Sequence, residues 1–198
     1  MATKTAPAER LSARQRLLSA AEELFYEEGP NTVGIERVIE RAGVAKASLY
    51  NTFGSKEELV RSYLEARHDA RKARLTEKLA RYGTPRERLL GVFDVMGELF
   101  AEPTFRGCAF VRASAEMRPG SSVKSVCDNT RAWSRELFTD LAKAAGAKDP
   151  ERLARQLVLL YDGATVSAHM DRDPTAAAVA RTTASLLLDA AIGAPDRA

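Results

Sequence analysis

Cysteine and histidine are scarce in this sequence of 198 residues, which contains two of each. Cys108 and Cys127 are too few for a disulfide scaffold, and no His, Cys or carboxylate cluster has the spacing of a metal site. No run of about 18 apolar residues occurs, which excludes a membrane-spanning helix. The first ten residues carry charges and a proline, so we expect no secretory signal there. The composition predicts a cytoplasmic protein with reduced thiols, no metal and no cofactor.

Excess charge of one sign is also small. The formal net charge is +3, and hydrophobic residues make up 45% of the chain, which is typical of a folded globular protein. Between positions 41 and 56 three cations, Arg41, Lys46 and Lys56, occur without any acid. An excess of this size is more often a solvated face than a nucleic-acid patch. A nonspecific architectural DNA-binding protein would need far more positive charge.

Hydrophobic residues recur at helical spacing along the chain, and no segment alternates as a strand does. Ser12 with Gln15 has the pattern of a capping box, and Thr84 with Pro85 and Glu87 combines an N-cap, a first-turn proline and a capping glutamate. These patterns predict an all-α fold of about nine helices.

The end of one predicted helix marks the boundary between two parts of the chain. A long, highly charged helix is expected from Ser55 to about Tyr82, and Gly83 ends it. A shorter helix is expected from about Phe105 to Met117. We predict a helix-turn-helix DNA-binding domain over residues 10–64, with its last helix continuing to about 82. A second domain over residues 83–193 is expected to form a helical bundle that binds a ligand and dimerises.

A short helix over Lys46–Phe53 follows the turn at Gly43 and Val44, and such a helix-turn-helix suits the major groove of DNA. Leu49 and Phe53 are four residues apart, so one face of this helix packs inward. Lysine reads guanine, and alanine or threonine methyl groups contact the thymine methyl. The opposite face of this helix is therefore predicted to read bases.

The segment from Val33 to Leu59 resembles the TetR family of transcriptional regulators. It contains Ala-Gly-Val at 42–44, Leu-Tyr at 49–50, Phe53, and Ser-Lys-x-x-Leu at 55–59. The resemblance covers about residues 10–64, and beyond them only the helix number and the stretch 107–110 look similar. It implies a homodimeric, ligand-responsive regulator, a repressor rather than an activator, that binds a palindromic operator in double-stranded DNA.

The resemblance implies that Tyr50 and Lys56 contact phosphates and that Lys46 and its outer neighbours read bases. Where the family often has a capping serine or threonine this chain has Ala45, a loss of about 1 kcal/mol unless another group compensates. Gly34 stands where many members of the family have a hydroxyl residue, so that phosphate contact is either absent or supplied by Thr32 or a backbone N–H. The candidate DNA-binding residues are Thr32, Gly34, Lys46, Ala47, Tyr50, Asn51, Thr52 and Lys56.

Large apolar and aromatic residues after Gly83 are candidates for an effector pocket, and at helical spacing each of them also suits an ordinary core. An effector bound by such a lining would be hydrophobic or aromatic. A redox role for Cys108 with Cys127 lacks a neighbouring cation that would stabilise a thiolate. The candidate ligand-binding residues are Phe93, Met96, Phe100, Phe110, Met117, Cys127, Trp133, Tyr161 and His169.

Small and apolar side chains share faces of the last two predicted helices. They suit either packing inside one subunit or a four-helix interface between two subunits, the arrangement that the resemblance implies. The candidate dimer-interface residues are Leu157, Leu160, Ala164, Ala168, Leu186 and Leu187.

No catalytic motif accompanies these features. The chain has no nucleophile elbow and no phosphate-binding glycine loop, so we do not expect an enzyme. The alternative is a helical protein that binds or converts a small molecule and uses its N-terminal unit for protein contacts. That alternative predicts no sequence-selective DNA binding.

Overall fold

The computed structural model describes residues 11–118 and 120–192, and within these ranges it contains helices and no strand. This confirms the predicted all-α fold of about nine helices. The helices are α1 (Ala13–Glu28), α2 (Ile35–Ala42), α3 (Lys46–Phe53), α4 (Lys56–Leu79), α5 (Pro85–Phe100), α6 (Ala109–Glu116), α7 (Ser122–Ala144), α8 (Pro150–Met170) and α9 (Ala176–Ile192). None of these nine helices is both long and apolar enough to cross a membrane.

The chain packs as two compact units that divide between Tyr63 and Leu64, inside α4. The first unit contains α1, α2, α3 and the beginning of α4, and the second unit contains the rest of α4 and all later helices. The division lies beside residue 64, where the DNA-binding domain is predicted to end. The assignment of separate functions to the two units remains a prediction.

The first unit is a small core covered by short helices. The predicted capping box starts α1: the Ser12 hydroxyl accepts from the backbone N–H of Gln15 at 3.2 Å, and the Gln15 side chain accepts from the backbone N–H of Ser12 at 2.8 Å. Leu17 and Phe25 are fully buried, which stabilises the fold by roughly 1.5–3 kcal/mol each. The ring of Phe25 meets that of Tyr63 edge-on, with 5.7 Å between centroids.

The second unit has a larger, continuous core that extends from Leu75 to Leu188. Its helix α5 begins at the second predicted capping box, where the Thr84 hydroxyl accepts from the N–H of Glu87 at 3.2 Å and Pro85 occupies the first turn. The helix α5 packs against α7 and α9, and α8 packs against the same two helices. Four helices thus enclose most of the buried apolar surface of this unit.

Two helix boundaries differ from the predicted ones. The helix α6 begins at Ala109 rather than at Phe105, because Gly107 has a φ of +81°, a left-handed backbone that a helix cannot continue through. The helix α4 ends at Leu79 rather than at Tyr82, since the N–H of Tyr82 bonds to the Leu79 carbonyl at 3.2 Å and tightens the chain into a turn.

Candidate nucleic-acid interface and effector site

The turn between α2 and α3 is held by a left-handed glycine. Gly43 has φ +60° and ψ +44°, and its N–H donates to the Glu40 carbonyl at 3.1 Å. From α1, the Arg16 guanidinium donates to the carbonyls of Ala42 at 3.2 Å and Gly43 at 2.8 Å. These bonds satisfy the C-terminal carbonyls of α2 and fix the direction in which the chain enters α3. Sequence reasoning missed Arg16, because nothing local connects positions 27 residues apart.

The two faces of α3 have opposite environments. Leu49 is completely buried and Phe53 is half-buried, with the Arg14 guanidinium carbon 5.7 Å from the Phe53 ring centroid. On the other face Tyr50 is 43% exposed, and Ala47 is exposed beside it. The helix is therefore anchored by one side and presents the other side to solvent.

Lys46 forms an ion pair that the sequence did not predict. Its Nζ lies 2.6 Å from Oε1 of Glu36, in the first turn of α2. The hydrogen bond and charge of this carboxylate raise the pKa of Lys46 above its ordinary value. Both side chains remain mostly exposed, 58% and 72%, and solvent screens surface pairs of this kind so that they contribute little to stability. The pair is therefore weak enough for another anion to replace Glu36.

Other arginines of the first unit are also paired with acids. Arg37 bonds to both carboxylate oxygens of Glu28 at 2.6 and 2.8 Å, and this lowers the pKa of Glu28. Arg41 is held by Glu23 through contacts of 2.7–3.1 Å. The apparent excess of cations between residues 41 and 56 is therefore partly compensated by acids from α1 and α2.

Two helices of the first unit begin without a side-chain cap. Gly34 precedes α2 and Ala45 precedes α3, and neither offers a side-chain acceptor to its helix, which confirms the missing side-chain cap predicted at Ala45. The Ala45 carbonyl does accept from the backbone N–H of Ser48 at 2.9 Å. No side chain of the N-cap residue competes for the first-turn N–H groups of these helices, so an anion such as phosphate can bind those that remain. By contrast, the Ser55 hydroxyl accepts from the N–H of Glu58 at the start of α4 at 3.1 Å.

Seven of the eight candidate DNA-binding residues are exposed, and Lys56 is half-buried. The Thr52 hydroxyl donates to the Ser48 carbonyl at 2.6 Å, so its proton is used inside α3. The exposed seven are Thr32, Gly34, Lys46, Ala47, Tyr50, Asn51 and Thr52.

The candidate effector residues are divided between the core and the surface of the second unit. Phe93, Met96, Phe100 and Cys127 are buried, Phe110, Met117, Trp133 and Tyr161 are half-buried, and His169 is exposed. Tyr161 and Met96 line a cavity of about 50 Å³ between α4, α5 and α8, with Arg71 and Arg74 on its α4 side. Sequence reasoning missed Arg71, which belongs to a helix that looks solvent-facing from its charge.

An aromatic and polar cluster adjoins this cavity. The Arg71 guanidinium carbon is 5.4 Å from the ring centroid of Trp133 and 5.1 Å from that of Tyr161. The ring of His68 meets Trp133 edge-on at 5.3 Å, and its Nδ1 lies 3.1 Å from the hydroxyl of Thr130. Burial, followed by the nearby Lys72, lowers the pKa of His68.

The surroundings of the cysteine and histidine candidates indicate packing rather than reactivity. Burial raises the pKa of the Cys127 thiol to about 11, which disfavours a reactive thiolate. The His169 ring packs on Gly107, where an added Cβ would lie 3.1 Å from the ring. Within the described part of the chain, no group of three or more His, Cys, Asp or Glu side chains is placed to hold a metal.

The candidate dimer residues lie mostly on the inner faces of α8 and α9. Leu157, Ala164 and Ala168 are buried within the subunit, and Leu160 and Leu187 pack against its core. Of the six, only Leu186 is largely exposed, at 67%. The outer faces of the same helices carry other apolar side chains in water, namely Leu159, Val166, Met170 and Val179.

Comparison with known proteins gives matches at both the sequence and the structural level. The family described as bacterial regulatory proteins, tetR family, matches residues 17–63. The chain is 32% identical to the HTH-type transcriptional regulator ArpR of Pseudomonas putida over 167 residues, 78% of this chain and 79% of ArpR. It is 33% identical to the HTH-type transcriptional repressor NemR of Escherichia coli over 106 residues, which span about half of each protein, 52% and 53%.

The fold is similar to the crystal structure of a TetR-family transcriptional regulator from Streptomyces coelicolor. The TM-score is 0.86 at 30% sequence identity, and the match covers 91% of this chain and 96% of that one. Fold, turn geometry and matches together define the class, a helix-turn-helix transcriptional regulator. The chain belongs to the TetR family of bacterial regulatory proteins.

Proposed function

We propose that the protein is a ligand-responsive transcriptional repressor that binds a palindromic operator as a homodimer. The observation that carries the proposal is the two-sided environment of α3. Leu49 anchors one face, while Tyr50 and Ala47 stand exposed on the other, directly after a turn held by Gly43 and Arg16. A helix presented in this way fits the major groove.

The chemistry of the exposed residues suits two kinds of DNA contact. The Tyr50 hydroxyl and the Lys56 ammonium would bind phosphates, together with the uncapped N–H groups after Gly34 and Ala45. Lys46 and Asn51 would read base edges, because lysine donates hydrogen bonds to guanine and asparagine forms a bidentate pair of hydrogen bonds with adenine. Ala47, Thr52 and Thr32 would add methyl or hydroxyl contacts at the edge of the same surface.

The exposed apolar faces of α8 and α9 support the homodimer. Leu159, Met170 and Leu186 are 69%, 75% and 67% exposed, and large apolar side chains grouped in water favour a protein partner. Gly163 lies on the same face of α8, and a Cβ added there would meet nothing within 4 Å, so a second helix would find room to approach. A two-fold dimer presents two α3 helices to successive major grooves about 34 Å apart, as a palindrome requires.

The response to ligand belongs to the second unit in this proposal. An effector in the cavity beside Tyr161 would favour a dimer conformation whose two α3 helices no longer match that spacing. It shifts the equilibrium only by the difference in its affinity for the two conformations. The proposal places the protein in the cytoplasm with its DNA and assigns no catalytic step to it.

Selection of bound DNA from a random double-stranded pool tests the proposal. Enrichment of one palindromic sequence with half-sites about one helical turn apart is the expected outcome. If no sequence is enriched above the starting pool, the assignment of α3 to the major groove is wrong. Light scattering on the same sample should give a dimer at micromolar concentration.

A further inference from the structure

Arg71 packs against aromatic rings inside the second unit instead of against an acid. Its guanidinium carbon lies 5.4 Å from the Trp133 centroid and 5.1 Å from the Tyr161 centroid. A guanidinium is planar and weakly hydrated, so contact with two ring faces is attractive and replaces part of the lost water. The space that the guanidinium occupies beside these two rings therefore suits a flat group.

The charge of Arg71 is not neutralised within the described part of the chain. Its Nε is buried without a hydrogen-bond partner, and one of its terminal nitrogens reaches the Ser134 hydroxyl at a long 3.4 Å. The neighbouring Arg74, which lines the same cavity, is by contrast bound to Glu102 at 2.7 Å. A buried donor without an acceptor costs free energy, and an anion that reaches Arg71 would recover it.

Apart from Arg71, Arg74 and Tyr161, the residues that line the cavity are apolar. A volume of about 50 Å³ holds one or two waters, well below the roughly 300 Å³ of common ligand sites. A ligand therefore enters only after a side chain moves, and Arg71 and Met96 are long and unbranched enough to do so. The apolar residues that line the cavity are Leu75, Val92, Val95, Met96 and Leu99.

From this arrangement, and resting on the proposed function as a ligand-responsive regulator, we propose that the effector is a small aromatic carboxylate. Its carboxylate accepts hydrogen bonds from Arg71, including the buried Nε, in the two-pronged geometry that guanidinium favours. Its ring takes the place that the guanidinium leaves against Trp133 and Tyr161. A neutral hydrophobic effector would fill the same apolar space but would leave Arg71 without an acceptor.

Trp133 is the only tryptophan of the chain, so its fluorescence reports on this site directly. The probes are 4-methylbenzoate and 4-methylbenzamide, which have nearly the same shape and differ in charge. Titration of the full-length protein, followed by Trp133 emission and by calorimetry, is expected to show the acid binding at least tenfold more tightly than the amide. Equal affinity of the two probes overturns the proposal.

Three variants test whether Arg71 causes the preference for the acid over the amide. Arg71→Met removes the charge at similar length, and we expect the acid and the amide to bind this variant equally. Arg71→Lys keeps the charge without the planar fork, and we expect acid affinity to fall severalfold while amide affinity is unchanged. Arg135→Met is the matched control, because it removes an exposed arginine from α7, the helix that carries Trp133, and it should keep the full preference.

Each contrary result has a definite meaning. A tenfold preference that survives Arg71→Met overturns the proposal, and where that variant does not fold, unchanged acid affinity in Arg71→Lys does the same. Loss of the preference in Arg135→Met would assign the anion to the open depression along α7 that Arg135 lines, which also overturns it. DNA selection on the wild type distinguishes failure of this inference from failure of the proposed function. An enriched palindrome without a preference for the acid overturns this inference alone. A preference for the acid without enriched DNA overturns the proposed function alone.

Discussion

The two units differ in what they expose to water. The first unit exposes charged pairs around α2 and α3, such as Lys46 with Glu36 and Arg41 with Glu23. The second unit also exposes ion pairs, such as Arg86 with Asp189, but in addition it exposes apolar side chains along α8 and α9 and holds the Nε of the half-buried Arg71 without a hydrogen-bond partner. Exposed ion pairs exchange partners at little cost, whereas apolar faces and buried cations gain most when a partner covers them. The difference suits one unit to a polyanion and the other to a second subunit and a small ligand.

The largest effect is expected where an apolar residue of the second unit becomes charged. Leu159→Glu would place an unpaired carboxylate in the proposed dimer interface. We expect the dimer dissociation constant to rise on the order of 100-fold, about 3 kcal/mol, because a desolvated charge without a partner is costly. Analytical ultracentrifugation measures the change.

Asn129→Glu is the matched control for this variant. It introduces the same charge at an exposed position of α7, a helix that is not part of the proposed interface. It should leave the dimer intact, and equal dissociation in both variants would remove the outer face of α8 from the interface.

The next largest effect separates two lysines of the first unit. Lys46→Ala and Lys56→Ala each remove one cation, yet we expect different outcomes because one is proposed to read bases and the other to hold phosphate. Lys46→Ala should relax the preference at one operator position by roughly 1–3 kcal/mol, while Lys56→Ala should weaken binding to all sequences and lower the salt slope by about 1. Tyr50→Phe should also weaken binding uniformly.

Gel-shift titrations with operator and mutated operators, repeated at several salt concentrations, measure both quantities. If the two lysine variants behave identically on every sequence, the proposed division between base and phosphate contacts is wrong. Unchanged affinity in all three variants would remove α3 from the groove.

Local patterns were enough to predict much of the architecture. The capping boxes at Ser12 and Thr84 and the turn at Gly43 depend on neighbours within a few residues, and the structure contains all three. The packing of Arg71 was not predicted, because the two rings that it contacts, those of Trp133 and Tyr161, lie 62 and 90 residues further along the chain. Composition reveals that a helix is charged, but only packing decides which charged residue turns inward.

A smaller effect is expected from pH in the second unit. The pKa of His68 is lowered from about 6.5 mainly by burial, with Lys72 and Arg71 lowering it further and Asp69 opposing them. The folded state thus binds this proton less readily than the unfolded state. The stability that neutral His68 contributes is complete above pH 6.5 and is lost as the pH falls through 6.5 towards the folded pKa.

Urea unfolding followed by Trp133 emission at pH 7.5 and pH 5.5 tests this linkage. The wild type should lose stability between the two pH values, and His68→Gln should lose less, because glutamine does not titrate. His169→Gln removes the other histidine and serves as the control that should behave as the wild type does. A loss in His68→Gln as large as in the wild type would place the pH dependence elsewhere.

The smallest effect tests whether the exposed pairs of the first unit are exchanged for DNA. Glu36→Gln keeps the size of the side chain and removes the charge that holds Lys46 at 2.6 Å. We expect operator affinity to rise severalfold for two reasons. Lys46 no longer has to break an ion pair in order to bind DNA, and the repulsion between Glu36 and phosphate disappears. The free energy of unfolding should change little, because solvent screens an exposed pair. Glu40→Gln removes an equal charge from another exposed position of α2, so an equal rise in that variant would reduce the effect to net charge and refute exchange at Lys46.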